Sequence, residues 1–439
     1  MKNIIKLSLV AVLCTCSMAE EDKGLRERGH SVKEVVGNVL KNEPKKVSST
    51  DKFRHMFTDG TVTGQVELMY SAHNINNNPN PYATAVGGHL LYELAEYDGF
   101  NAGAEFSIAH NINTLTGDNT KENTTISSVD GSYTELTQAY INYNIEDLNV
   151  RVGRQLIDTP LADSDYIRII DNTFEAAIIE YKLNEFSLVA GYLDRWQGTD
   201  AGLDVDNPWQ DTGEDGTYFG SISFSNDLLD ISAWYYDISK AQTSNTATGN
   251  VANKSAYFDI SLHNQLTQDF FLHSNAQYLH QSSQDASAIE ASIYGFMFEF
   301  VAYESLSFSA AYNKSEKQSR KGSFSGFGGG TLYTNMDSMI IDNITTDRDV
   351  EAIVTGVTYS FKNVSFLYAY GNFDGDRDSS GQKEHIVEQN IGIEYTPTDD
   401  LIIGAICTID NDKEDTGSGA NFGSAGDFEN YRVVVAYKF

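Results

Sequence analysis

The chain has 439 residues, with 30 Lys and Arg against 62 Asp and Glu, a formal net charge of -32, 25 Tyr, 23 Phe, 35 Gly and only 6 Pro. That acidity disfavours a polyanionic partner, so nucleic-acid binding is not expected, and cations are the favoured company. Mean hydropathy is negative, and no segment holds the roughly 18 consecutive apolar residues of a membrane-crossing helix, so aromatic-rich strands are the expected material.

Residues 1–19 have the form of a secretory signal. Lys2 and Lys6 give a basic start, Leu7 to Cys16 a short apolar run, and Ser17-Met18-Ala19 a small-x-small cleavage site before Glu20. A lipid anchor on Cys14 or Cys16 is disfavoured by Leu13 and Thr15 before them. Cleavage leaves Cys407 alone, so no internal disulfide forms. Residues 20–58 read as a separate periplasmic extension. Within it Val32, Val35, Val36, Val39 and Leu40 fall at helical spacing and predict one short amphipathic helix, ended by Asn42 and Pro44. This extension fits a free periplasmic segment, a plug of a barrel mouth or a contact for a partner.

From residue 59 to 439 the pattern changes to period two. Val62, Gly64, Val66, Leu68 and Tyr70 share one face, with Thr63, Gln65, Glu67 and Ser71 opposite. Phe100, Ala102, Ala104, Phe106 and Ile108 oppose Asn101, Glu105 and Ser107. The same rule holds for Leu148–Val152, Phe186–Tyr192, Leu306–Tyr312, Val364–Tyr370 and Leu401–Ile409, and it is weakest over 255–264 and 288–300. Short connections near 95–99, 146–147, 184–185, 226–228, 265–269, 301–304, 362–363 and 397–400 alternate with long ones. The long ones fall near 75–81, 113–132, 156–173, 197–216, 241–254, 281–287, 315–350, 375–385 and 411–427. Strict alternation of turns and loops predicts an all-β fold: a transmembrane antiparallel barrel of about 18 strands with turns at the periplasmic rim. A soluble sandwich predicts mixed connection lengths on both rims.

The last strand carries Tyr431, Val433, Val435, Tyr437 and Phe439 on one face and Arg432, Ala436 and Lys438 on the other. Tyr431, Tyr437 and the terminal Phe439 resemble the insertion signal read by the barrel-assembly machinery of the bacterial outer membrane.

Catalytic patterns are thin. There is no G-x-S-x-G, H-E-x-x-H or C-x-x-C, so an enzyme is not expected. His263, His273 and His280 are assigned to different strands or faces and to solvation. Asp374, Asp376 and Asp378 have the opening spacing of a calcium loop, but Ser379 and His385 stand where Gly and Glu are needed; an exposed acidic loop is preferred and Ca²⁺ kept as a weak candidate. Gly326-Phe327-Gly328-Gly329-Gly330 has the glycines of a phosphate loop without its Lys and Ser/Thr, and is expected to be mobile. Segment 151–175 is the richest. Arg151 and Arg154 run into loop 156–173, which bears Asp158, Asp163, Asp165, Arg168 and Asp171; folded inward it narrows the pore, and opposed charges there filter solutes by size and charge, whereas the residues fit a loop lying outside equally well.

Phe57-Thr58-Asp59-Gly60-Thr61-Val62-Thr63-Gly64, Val152-Gly153-Arg154-Gln155 with Thr159-Pro160-Leu161 and Thr173-Phe174-Glu175, and the strand ending in Phe439 resemble the OprD-like outer-membrane porins, particularly the major porins of ε-proteobacteria. The resemblance implies an eighteen-stranded barrel, often trimeric, embedded in outer-membrane lipid and passing small polar solutes and ions without a cofactor. It also implies a ladder of inward bases, for which Arg151, Arg195 and Arg432 have the parity. The acids Glu67, Glu105, Glu388 and Glu394 have inward parity too and favour a cation-preferring pore. The alternative is an adhesive surface barrel with ion-binding acidic loops.

Overall fold

The computed structural model describes residues 52–75, 80–117, 126, 132–165, 168–201, 209–240, 250–414 and 427–439. The signal segment 1–19 and the helix expected over Val32–Leu40 lie outside the described residues. The description opens with a short helix, α1 (Lys52–Thr58), followed by β1 (Thr61–Ile75), β2 (Tyr82–Glu93), β3 (Phe100–Asn111), β4 (Ser132–Ile145) and β5 (Leu148–Gln155). Two-residue strands β6 (Asp158–Thr159) and β7 (Ala162–Asp163) precede β8 (Thr173–Leu183) and β9 (Phe186–Gln197). After a two-residue β10 (Gln210–Asp211) come β11 (Thr217–Ser225), β12 (Leu229–Ile238), β13 (Asn253–Thr267), β14 (Phe270–Ser283), β15 (Ala291–Ala302) and β16 (Leu306–Ser315). The chain closes with β17 (Val350–Phe361), β18 (Val364–Gly375), β19 (Glu384–Tyr395), β20 (Leu401–Asp412) and β21 (Phe428–Lys438).

Every long strand pairs antiparallel with its neighbour in sequence, and β21 returns to β1 in a register running from Gln65↔Lys438 to Ile75↔Phe428. Without β6, β7 and β10 this is a closed barrel of 18 strands. The two weakly patterned segments form full strands, β13 and β15. The seam ends on Phe439, whose N–H and C=O exchange 3.0 Å bonds with Gly64. Closure leaves no edge, the only way a sheet survives in lipid.

Short turns gather at one rim. Glu146, Asn184 and Lys362 take left-handed φ of 50°, 53° and 56° to close two-residue connections. At that rim α1 docks on the β2–β3 turn, where Ala95 N–H donates to Met56 O at 2.9 Å and Tyr92 Oη donates to Phe57 O. The outer face is apolar around the circumference. Ile141, Val152, Phe106 and Phe298 are half-exposed there, with aromatic rows toward one rim (Phe186, Phe300, Phe361, Tyr437) and the other (Tyr218, Tyr235, Tyr278, Tyr370). Such rows mark the two levels of a membrane interface.

Candidate functional site: two loops inside the barrel

A wide barrel leaves its inward side chains facing water, yet many inward residues of this one are large and apolar. Phe174, Ile178, Leu193, Trp234, Tyr236, Ile238, Leu279, Ile293, Val350 and Phe373 are buried. They are covered by two long loops that fold into the lumen. Loop 156–172 begins as the hairpin β6–β7, pairing Asp158 with Asp163 and Thr159 with Ala162, and its Ile157 and Leu161 join that cluster. Its far end places Ile169 and Ile170 against Met69, Ala83, Ala85, Ala109 and Val434 on the stretch of wall formed by β1, β2, β3 and β21. Gly87 of β2 makes room: a Cβ there lies 2.6 Å from Ile169 Cγ2.

Loop 316–349 was expected to be mobile at its glycines. Instead it contributes Phe324, Phe327, Leu332, Met336, Met339, Ile341 and Ile344 to the same cluster. The loops bond to each other: Asp163 N–H donates to Phe327 O and Phe327 N–H to Leu161 O, both at 2.9 Å. The glycines permit this approach, since a Cβ on Gly326 (φ 108°) meets Leu161 Cα at 2.7 Å and one on Gly328 (φ 83°) meets Asp163 O at 2.2 Å. The other end is tethered to the wall. Asp337 pairs with Arg432 of β21 at 2.5 Å and accepts from Thr408 of β20 at 2.6 Å. Glu388 of β19 accepts from Met339 N–H at 2.6 Å and Ser338 N–H at 3.2 Å. The sequence signal was present: a loop with seven large apolar residues is too apolar to lie in water.

Glu67, Glu105, Glu388, Glu394 and Arg432 occupy inward positions. Arg151 does too, with its guanidinium 4.3 Å from the Tyr140 ring centroid and Nε donating to Asn142. Below the β6–β7 hairpin, Arg151 shares a small cavity with Gln155, Thr159, Glu180, Phe219 and Trp234. Arg154, expected at the constriction, and Arg195, expected on the lumen wall, both face outward. Arg154 shares the outward face of Val152 and pairs with Glu175. On β9 a bulge skips Asp194 and sets Arg195 opposite that same glutamate. Glu175 accepts from Arg154 Nε at 2.8 Å and Arg195 Nε at 2.7 Å, and Trp209 lies over both guanidiniums at 4.6 and 5.1 Å. Neither arginine is therefore a rung in the lumen.

Loop 156–172 brings Asp163, Asp165, Arg168 and Asp171 into the lumen. Burial, then Asp200 and Asp163, pushes the Asp165 carboxyl well up, and burial with Glu105 and Glu67 does the same to Asp171. Burial, with Arg432 adding repulsion, lowers the Arg168 guanidinium. Asp337 runs the other way: burial alone raises it, but Arg432 and Thr408 outweigh burial and hold it below the usual carboxylate range. Asp342, buried in loop 316–349, is pushed to about 6 by burial. Asn172 holds this corner, donating to Asp200 at 2.7 Å and to Asp163 O at 3.4 Å.

The remaining expectations divide. His263 and His273 lie on different strands, as expected, but as cross-strand neighbours 3.0 Å apart at Nδ1, with His263 Nε2 2.8 Å from Asp230, so the reading of them as solvated is corrected for this pair; His280 faces outward and bonds Ser292. Asp374, Asp376 and Asp378 do not converge. Asp374 pairs with Lys383 at 2.9 Å, and Asp378 caps Ser380 and Gln382 N–H groups. Among the described residues no cluster of three or more His, Cys, Asp or Glu is arranged for a metal. Tyr431 and Tyr437 stand exposed on the outer face of β21.

No protein-family model matches the chain, and no curated protein matches it. Solved structures do. OccAB2 of Acinetobacter baumannii superposes with a TM-score of 0.72 at 15% identity, over 88% of this chain and 99% of that one. OpdK of Pseudomonas aeruginosa, solved with vanillate, gives 0.70 at 15%, over 88% and 99%. OccK9 (OpdG) of the same organism gives 0.71 at 12%, over 88% and 99%. At such identities the likeness is one of fold: the chain has the 18-stranded barrel of these structures along nearly their whole length.

Proposed function

We propose that the chain is an outer-membrane diffusion porin of the OprD-like kind, passing small polar solutes and ions down their gradients. The observation that carries the reading is the pair of charged loops folded inside a closed, externally apolar barrel, which is the anatomy of a selective constriction. The apolar band and aromatic rows support placement in an outer membrane. The quoted N-terminal and C-terminal motifs support kinship with the major porins of ε-proteobacteria, and with it assembly as a homotrimer. Cation preference is the favoured selectivity. Glu67, Glu105, Glu180, Asp259, Glu299, Glu388 and Glu394 face the lumen from the wall, against Arg151, Arg432 and Lys438. With Arg154 and Arg195 on the outer wall, a basic ladder for carboxylates is interrupted, so the vanillate of OpdK is not carried over as a solute. Reversal potential across a planar bilayer in a KCl gradient tests this: cation-favouring steps support it, and a folded barrel that does not conduct refutes it.

A further inference from the structure

Close to the periplasmic turn between β13 and β14, His263 and His273 stand directly opposite each other on the inward face. Their Nδ1 atoms are 3.0 Å apart and their rings are inclined at 65°. His263 is nearly buried, and its other nitrogen, Nε2, lies 2.8 Å from Asp230 Oδ2 on β12. A carboxylate only accepts, so Asp230 keeps the His263 proton on Nε2 and leaves the Nδ1 lone pair aimed at His273. The next inward residue of β14, Asn275, is 4% exposed, and both of its amide atoms lack a hydrogen-bond partner among the described residues. Glu299 of β15 stands directly across from His273. Lys254 and Lys314, the only bases on strands β11 to β16, face outward, so no base of these strands opposes a cation at this point of the lumen.

We propose that His263 and His273 bind a divalent transition-metal ion between their Nδ1 atoms. Two nitrogens held tetrahedrally at about 2.0–2.1 Å from a metal lie about 3.3 Å apart, so the rings need to part by only a few tenths of an ångström. The contact with Asp230 is the one that orients a metal-bound imidazole: its second N–H donates to a carboxylate, which fixes the ring and strengthens the donor nitrogen. Because Asp230 holds the far edge of His263, two groups rather than three face the ion. The proton that His273 Nδ1 gives up on binding passes to its own Nε2, so the ring stays neutral. Asn275 offers unpaired polar atoms beside the site for a metal-bound water. Imidazole nitrogens select Zn²⁺, Ni²⁺ and Cu²⁺, whereas Ca²⁺ and Mg²⁺ take oxygen donors. The site adds a chemical preference to the cation selectivity proposed above, but binding does not require that the barrel conduct.

The test is equilibrium dialysis of the untagged barrel, refolded in detergent, against Zn²⁺, with heat-modifiable migration confirming that each variant is folded. Saturable binding at micromolar Zn²⁺ is expected. His273→Gln should weaken it at least about tenfold, and Asp230→Asn about tenfold through the lost orientation of His263. His280→Gln, which alters an outward ring, should leave it unchanged. No binding at micromolar Zn²⁺, or binding untouched by His273→Gln, overturns the proposal. If His273→Gln does not fold, the Cu²⁺ complex of the unaltered chain decides. Hyperfine splitting from two nitrogens in its electron paramagnetic resonance spectrum supports the site; splitting from one nitrogen or none overturns it. A barrel that is silent in bilayers refutes the porin reading and leaves these two readouts unaffected.

Discussion

Arg432 shows how much a single lumen residue holds. It stands on the last strand, almost fully buried, and its partner Asp337 lies in a loop 95 positions earlier. Removing one member of a buried pair leaves an uncompensated charge and costs about 3–5 kcal/mol. Arg432→Ala is therefore expected to release loop 316–349 from β19–β21 while the barrel persists, and single-channel records should show larger, noisier steps. Arg432→Ala with Asp337→Asn should recover part of the tether's stability. Gly64 is the second such residue. A Cβ there meets His89 O of β2 at 2.6 Å and, across the seam that closes the barrel, Phe439 Cζ at 2.9 Å. Gly64→Val is expected to cost about 1–3 kcal/mol and to lower the fraction of heat-modifiable folded barrel in detergent gels; an undiminished fraction argues that the seam closes elsewhere. The arginines of β5 and β9 carry the lesson about parity. Alternation assigns Arg195 inward, but one skipped residue at Asp194 reverses it, and nothing in the local composition marks that bulge. Arg154→Ala should leave the reversal potential unchanged, whereas Arg168→Ala should shift it toward cations.

At the scale of elements, the strands and the order of turns and loops were legible because lipid outside imposes period two on every strand, and the short turns recur on one rim. Loop 156–172 was legible as charged, and its inward fold follows from Ile157, Leu161, Ile169 and Ile170 having nowhere else to be buried. Loop 316–349 was missed because its glycines drew the reading toward mobility. The glycines in fact serve close approach: Gly326 and Gly328 let one loop bond the other at Leu161 and Asp163. Gly326→Val is expected to separate the loops, by sterics and by the positive φ, and to raise conductance without lowering barrel yield. Unchanged conductance with normal folding would mean that the junction does not narrow the path. The rule that outer residues are apolar and inner ones polar fails where these loops lie, since Trp234, Tyr236 and Phe373 point inward to meet them.

For the whole molecule, the acidic balance of the lumen sets a direction with pH. Asp165 and Asp171 are held well above the ordinary carboxylate range, and Asp342 titrates at about 6. A carboxyl with a raised pKa is anionic only above that raised value, so Asp342 loses its charge as pH falls through about 6 while ordinary carboxylates keep theirs. Cation preference should therefore weaken as pH falls through about 6, read as a reversal potential moving toward zero. A potential constant across that point would place the Asp342 carboxyl away from the ion path.

A closed barrel with two inward loops of this kind is expected to act as a selective, acid-lined pore. Planar-bilayer recording of the refolded full-length barrel under a KCl gradient is the decisive test. Discrete steps with a cation-favouring reversal potential are expected. Anion-favouring steps, or silence from a barrel shown by heat-modifiable migration to be folded, would contradict it.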